Sequence, residues 1–267
     1  YRDPLSDARW HELADAIAAR GDDAPVLLAS EWLSPSARMH VPAIAERHAL
    51  LRADLHGLPR FHTVGLAAWS ELLQRELEEL PAPTLLEQRS IGPFVWATWA
   101  QPTAGTTIAS LLDAPLQVHS EAGSCRGRDR WKCNEGEIAG AIVEVEYRPR
   151  ACIGMNVSDG ATVTLRWPDA ELGTSLRGHL GFGDYNARLR DDAPADLRVR
   201  IDGQEQLRIT VSDMEGWRPF AIATTPARAD IELEVTAGLS GTWQRKTYDP
   251  TPVRTICLEA RTIGAAP

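Results

Sequence analysis

Leu197-Arg198-Val199-Arg200-Ile201-Asp202-Gly203, followed by Gln206-Leu207-Arg208-Ile209-Thr210-Val211, decides the fold of the second half of this chain. Apolar and polar residues alternate in both runs. A period of two places Leu197, Val199 and Ile201 on one face of a strand and Arg198 and Arg200 on the other. The Asp202-Gly203 step between the runs is a tight-turn signal, because both residues tolerate positive φ. The pair therefore reads as two strands with one buried and one wet face.

The same grammar extends in both directions. Residues 138–147 alternate around Ile142, Val143 and Val145, and residues 161–167 put Val163, Leu165 and Trp167 on one face. Further strands are predicted over 175–182, 217–224, 229–236 and 253–261. About eight short strands separated by Gly, Asp and Pro turns indicate a sandwich or jelly roll.

Before residue 120 the apolar spacing is different. Trp10, Leu13, Ala14 and Ile17 recur at three and four, so residues 5–20 read as an amphipathic helix that Ser6 or Asp3 caps and Gly21 ends. Pro25-Val26-Leu27-Leu28-Ala29-Ser30 reads as a short buried strand. Residues 67–80 form a second predicted helix, with Trp69, Leu72, Leu73, Leu77 and Leu80 on one stripe. Phe61-His62-Thr63-Val64, residues 93–99 and residues 116–119 are further strand candidates. Alternating strands and helices predict a small α/β layer. The expected fold class is thus α+β and multidomain. A small α/β, Rossmann-like layer domain at 1–120 precedes an all-β jelly-roll sandwich at 121–267.

The 267 residues suffice for two ordinary cores. A formal net charge of −9 argues against a nucleic-acid partner, which needs a basic face. No apolar run of about 18 residues is present, so any membrane attachment is expected through sequence outside this chain. The start at Tyr1, with no initiator Met and no signal peptide, is expected to be that of a fragment cut from a longer protein.

All four cysteines, Cys125, Cys133, Cys152 and Cys257, lie in the second half. A bridge from Cys125 to Cys133 would close the polar loop Arg126-Gly127-Arg128-Asp129-Arg130-Trp131-Lys132. Cys152 and Cys257 lie in what would be the first and last strands of the sandwich and form a second candidate pair. Four cysteines allow three connectivities, and four reduced, buried thiols are the alternative. No C-x-x-C or H-E-x-x-H is present, so neither a metal nor a cofactor is expected.

Two resemblances add to this. Leu176-Arg177-Gly178-His179-Leu180-Gly181-Phe182-Gly183-Asp184, with Leu197–Gly203, Gly216-Trp217 and Ile231-Glu232-Leu233-Glu234-Val235, resembles the galactose-binding-like jelly rolls, which include carbohydrate-binding modules of secreted glycosidases. The first half, in Pro25–Trp32 and Ser36-Ala37-Arg38-Met39-His40-Val41-Pro42, resembles the soluble region of bacterial membrane glycosyltransferases of the dolichyl-phosphate-mannose type. That resemblance implies catalytic carboxylates elsewhere, in a membrane part.

The candidate site residues follow from these two halves. Glu31 and Trp32 follow a predicted parallel strand, where α/β sheets bind ligands. Glu31, His40 and His62 are the catalytic candidates for a secreted hydrolase. His40, His56 and His62 could converge on a metal with Glu31, but their spacings of 16 and 6 match no ligand rule. In the sandwich, Trp217, Trp243, Asp184, Tyr185 and Trp131 are the ligand-binding candidates, since an aromatic platform beside a carboxylate grips sugars. The expected function is a periplasmic or extracellular, non-catalytic domain that binds glycan or an envelope partner. A hydrolase with its site in the α/β half, and a structural interaction module, are the competing expectations.

Overall fold

The computed structural model describes residues 5–22, 24–28, 33–41, 44, 59–67, 83–101, 105, 107–121, 123–128, 130–134, 136–145, 148–183, 194–212, 215–239 and 253–265. The chain divides into two compact units, residues 1–106 with 266–267, and residues 107–265.

The first unit carries helices α1 (Asp7–Ala18) and α2 (Ser34–His40) and strands β1 (Val26–Leu28), β2 (Arg60–Leu66), β3 (Thr84–Ile91) and β4 (Phe94–Ala100). Trp10, Leu13 and Ile17 of α1 are all buried, as helical spacing demands of one apolar stripe. They pack with Val26, Leu28, Val64, Phe94 and Trp96 of the sheet.

The expectation of a Rossmann-like α/β layer is overturned here. The sheet order is β1-β2-β4-β3, and among the described strands only β1 and β2 pair in parallel. β2 with β4 and β3 with β4 are antiparallel. The reason is the connection. β3 and β4 are joined by Gly92-Pro93, with Gly92 at φ 54°, and so tight a turn returns the chain antiparallel, whereas a parallel neighbour needs a long crossover. Most of the described chain is strand, so the expected α+β class is overturned as well: the described residues are nearly all β. The strand expected near 116–119 belongs elsewhere too, in the second unit. The helix expected at 67–80 lies outside the described residues, apart from Ala67.

Among the described residues the second unit is a sandwich of thirteen strands. They are β5 (Thr107–Ser110), β6 (Gln117–Ser120), β7 (Arg126–Gly127), β8 (Arg130–Cys133), β9 (Gly136–Val145), β10 (Arg148–Ser158), β11 (Thr162–Leu172), β12 (Ser175–Phe182), β13 (Ala195–Ile201), β14 (Gln204–Val211), β15 (Arg218–Ala223), β16 (Ala227–Ala237) and β17 (Val253–Ile263). One sheet runs β15-β12-β17-β10-β9-β8-β7, with β5 also paired to β17, and the other runs β14-β13-β16-β11-β6. All these pairings are antiparallel.

Period two explains the core. Ile153, Met155 and Val157 of β10, Leu176 and Leu180 of β12, and Ile256 and Leu258 of β17 point inward from one sheet. Val163, Leu165 and Trp167 of β11, Leu197 and Val199 of β13, and Ile231, Leu233 and Val235 of β16 meet them from the other. Trp167 ties its polar end down by donating from Nε1 to the Leu111 carbonyl at 2.9 Å. The Asp202-Gly203 turn has φ of 49° and 77°, the paired left-handed conformation that a two-residue hairpin needs. Two disulfides form, Cys125–Cys133 and Cys152–Cys257, as befits a protein matured in an oxidising compartment.

Candidate ligand-binding face

The residues that alternate with the core on the five-stranded sheet form a polar face. β13 contributes Asp196, Arg198 and Arg200, β14 contributes Arg208 and Thr210, and β16 contributes Glu232, Glu234 and Thr236. The antiparallel register sets Arg198 beside Glu234, Arg200 beside Glu232, and Asp196 beside both Thr210 and Thr236. Opposite charges placed directly across strands attract.

The side chains take up that register. Arg198 Nη1 donates to Glu234 Oε2 at 3.1 Å, and its Nε faces Glu205 Oε2 at 3.0 Å without the alignment of a hydrogen bond. Arg200 Nη1 donates to Glu232 Oε1 at 2.8 Å and to Glu234 Oε1 at 2.7 Å. Arg208 Nη2 donates to Asp196 Oδ2 at 3.0 Å, and Thr210 Oγ1 donates to Asp196 Oδ1 at 2.6 Å. Thr162 and Thr236 share a hydroxyl hydrogen bond of 2.9 Å, and Arg166 pairs with Asp230 further along the face.

Asp196, Arg198, Arg208, Glu234 and Thr236 line a cavity of about 230 Å³. The Thr210 hydroxyl and the Arg208 guanidinium hold the Asp196 carboxyl below the usual carboxylate range, against a smaller opposing effect of burial. Asp196 is therefore a charged acceptor at neutral pH and not a proton donor. The cavity offers guanidinium donors, carboxylate acceptors and a hydroxyl that does both. Such a lining matches a ligand rich in hydroxyls, each of which donates and accepts.

On the opposite side of the sandwich, the outward side of the eight-stranded sheet, a group of charged side chains is buried. His179 of β12 and Glu259 of β17 are register partners, 2.5 Å apart, and Arg261 Nε lies 3.3 Å from Glu259 Oε2. Burial pushes the Glu259 carboxyl up, but the Arg261 charge and the His179 hydrogen bond outweigh it and hold it down. Trp217 stacks on His179 with ring centroids 5.3 Å apart, and the Arg150 guanidinium lies 5.3 Å from its ring centroid. Trp217 is 7% exposed, so it offers little ring to solvent. The Cys152–Cys257 bridge lies on this same side.

The remaining sequence candidates separate. Trp131 is half-buried in the β8 strand and packs against the sandwich core. His62 is wholly buried between Asp22 Oδ1, 2.8 Å from Nε2, and Thr98 Oγ1, 3.0 Å from Nδ1. Burial pushes the Asp22 carboxyl up, but His62 outweighs it and holds the group low. His40 stacks on Trp10 at 5.8 Å, with its Nδ1 3.8 Å from Asp7 Oδ1. Glu31, Trp32, His56, Asp184, Tyr185 and Trp243 lie outside the described residues. No group of His, Cys, Asp and Glu able to hold a metal occurs among the described residues.

Sequence reading missed the cavity residues themselves. Their signal was the doubled charge on the wet phase of two strands, Arg198-Val199-Arg200 and Glu232-Leu233-Glu234. Those opposite signs become neighbours only once β13 is known to pair with β16.

No protein-family profile matches this chain, and no curated protein matches it. Solved structures do align with it. One is the CBM51-2 and INT domains of ZmpB from Clostridium perfringens, at 11% identity and a TM-score of 0.37, covering 66% of this chain and 36% of that one. Another is CBM51 of the Clostridium perfringens GH95 in complex with methyl-galactose, at 9% identity, a TM-score of 0.35, and 58% and 99% coverage. The xylan-binding module CBM15 aligns at 9% identity and a TM-score of 0.34, over 61% of this chain and 100% of that one. This chain spans about a third of the length of the ZmpB fragment.

Proposed function

We propose that the sandwich is a non-catalytic glycan-binding module. The observation that carries this is the cavity of about 230 Å³ whose five lining side chains are all hydrogen-bonding groups, braced by ion pairs on a rigid sheet. A site on strands loses little freedom when a ligand binds, which favours affinity. One sugar ring seats there, with its hydroxyls donating to Asp196 and Glu234 and accepting from Arg198 and Arg208. The sequence candidates Asp184, Tyr185 and Trp243 are proposed as further ligand contacts.

Two disulfides support an extracytoplasmic setting, periplasmic or extracellular. The sequence resemblance of the first half supports reading the chain as the soluble part of a larger membrane glycosyltransferase-like protein.

The test is a glycan array with the wild-type chain, Arg208→Ala and Trp243→Ala. The expected result is binding to a neutral glycan that Arg208→Ala reduces at least about tenfold, the scale of one lost charge-assisted hydrogen bond. An array on which the wild type binds nothing, or a ligand bound equally by Arg208→Ala, would overturn the reading. Loss on Trp243→Ala would add the aromatic contact.

A further inference from the structure

The hairpin closed by Cys125–Cys133 is a compact cationic surface on an acidic chain. Between the two cysteines stand four cations, Arg126, Arg128, Arg130 and Lys132, all exposed, against one acid, Asp129, while the chain as a whole carries a net charge of −9. β7 is the outer strand of its sheet, and Arg126 and Lys132 are register partners across the β7–β8 pair. Arg130 lies two residues from Lys132, so it shares the face of both. Trp131 points the other way, toward the sandwich core.

Like charges directly across a strand pair repel and cost stability. Among the described residues Arg130 alone of the four has an ion-pair partner, Glu137 at 2.8 Å. The disulfide sits one residue beyond the Arg126/Lys132 pair and holds the two cations together against that repulsion. The turn is equally constrained, since a Cβ on Gly127 would fall 1.9 Å from the Arg130 carbonyl oxygen. A stapled hairpin that gathers three cations with no ion-pair partner among the described residues is not explained by packing, because the side chains concerned touch solvent. Local costs of this kind are characteristic of functional sites.

We infer that this hairpin is a second binding surface, for an anionic polysaccharide bearing carboxylate or phosphate groups. Guanidinium forks pair with either group in bidentate geometry. A polymer fits better than a lipid surface. Membrane-surface elements add apolar side chains to their basic ones, and the one aromatic residue of this hairpin faces inward. The inference rests on the glycan-binding reading, but uses a surface separate from the Asp196–Arg208 cavity.

The test measures binding of the whole chain to polygalacturonate, to its fully methyl-esterified and uncharged form, to a phosphate-bearing mannan, and to vesicles containing phosphatidylglycerol. It compares the wild type, the triple variant Arg126→Gln/Arg128→Gln/Lys132→Gln, the single variant Lys132→Glu, and Arg208→Ala. The expected result is binding to one or both charged polymers that falls about tenfold or more in the triple variant and also falls in Lys132→Glu. It weakens by a similar factor between about 50 mM and about 500 mM salt, where exposed charges are screened. Arg208→Ala leaves it unchanged. Wild-type binding to neither charged polymer, equal binding of the esterified form, or equal binding by both hairpin variants would overturn the inference. So would tighter binding to the vesicles than to either polymer. If the hairpin results hold while neutral glycans bind equally to Arg208→Ala, the cavity reading fails and this one stands.

Discussion

His179 Nδ1 donates to Glu259 Oε1 at 2.5 Å across the paired strands β12 and β17, on a side of the sandwich where both residues are almost fully buried. Arg261, on the same strand as Glu259, supplies the second partner of the carboxylate. Removing one member of a buried charged group leaves the others desolvated and poorly paired, which costs about 3–5 kcal/mol. Glu259→Ala is therefore expected to lower the unfolding free energy by about that amount in urea titration. A loss under about 1 kcal/mol, the size of an ordinary surface change, would contradict the account.

The same carboxyl gives the fold an acid sensitivity. Its folded value is held below the ordinary 4.5. A depressed carboxyl contributes stability that is present above its unfolded value and is lost as pH falls through the lower folded value. The urea midpoint of the wild type is expected to fall more steeply on acidification below 4.5 than that of Glu259→Gln. Parallel curves for the two proteins would remove Glu259 from the explanation.

The two disulfides are expected to differ in worth. Cys152–Cys257 closes a separation of 105 residues and Cys125–Cys133 one of 8. Loop-closure entropy then gives about 4–5 kcal/mol for the first and about 2–3 kcal/mol for the second. The double alanine variants, compared by urea unfolding, are expected to fall in that order. A larger loss from the Cys125–Cys133 pair would contradict it.

Trp217 is held by packing, with His179 against its ring and Arg150 close by. Trp217→Ala is expected to cost about 3–5 kcal/mol of stability, as buried indoles do. Below its own melting temperature the variant is expected to bind neutral glycan as the wild type does. A stable variant that loses binding would instead make Trp217 a ligand contact.

How much of this was legible in the sequence depends on which face a residue occupies. Val163, Leu165 and Trp167 announce an inward phase by alternation alone, and all three are in the core. Asp202-Gly203 announces its turn by the positive φ both residues accept. β10 gave no such signal, because its outward phase carries Cys152, Gly154 and Asn156 beside the inward Ile153, Met155 and Val157. β3 was equally silent, since seven of its eight residues are exposed and no phase is apolar. Without β3, the antiparallel return at Gly92-Pro93 was invisible and the first half read as alternating α/β. The cavity was hidden for a third reason. Arg198 and Glu234 are 36 positions apart, and only strand order brings them within 3.1 Å.

If the polar face of the five-stranded sheet holds glycan, as proposed, its cavity residues respond when the ligand is added. The most direct measurement is amide and side-chain chemical-shift mapping of the isotopically labelled chain, titrated with a neutral glycan that binds on the array. The expected shifts are concentrated at Asp196, Arg198, Arg208, Glu234 and Thr236. Saturable binding whose shifts leave these five residues untouched would contradict it.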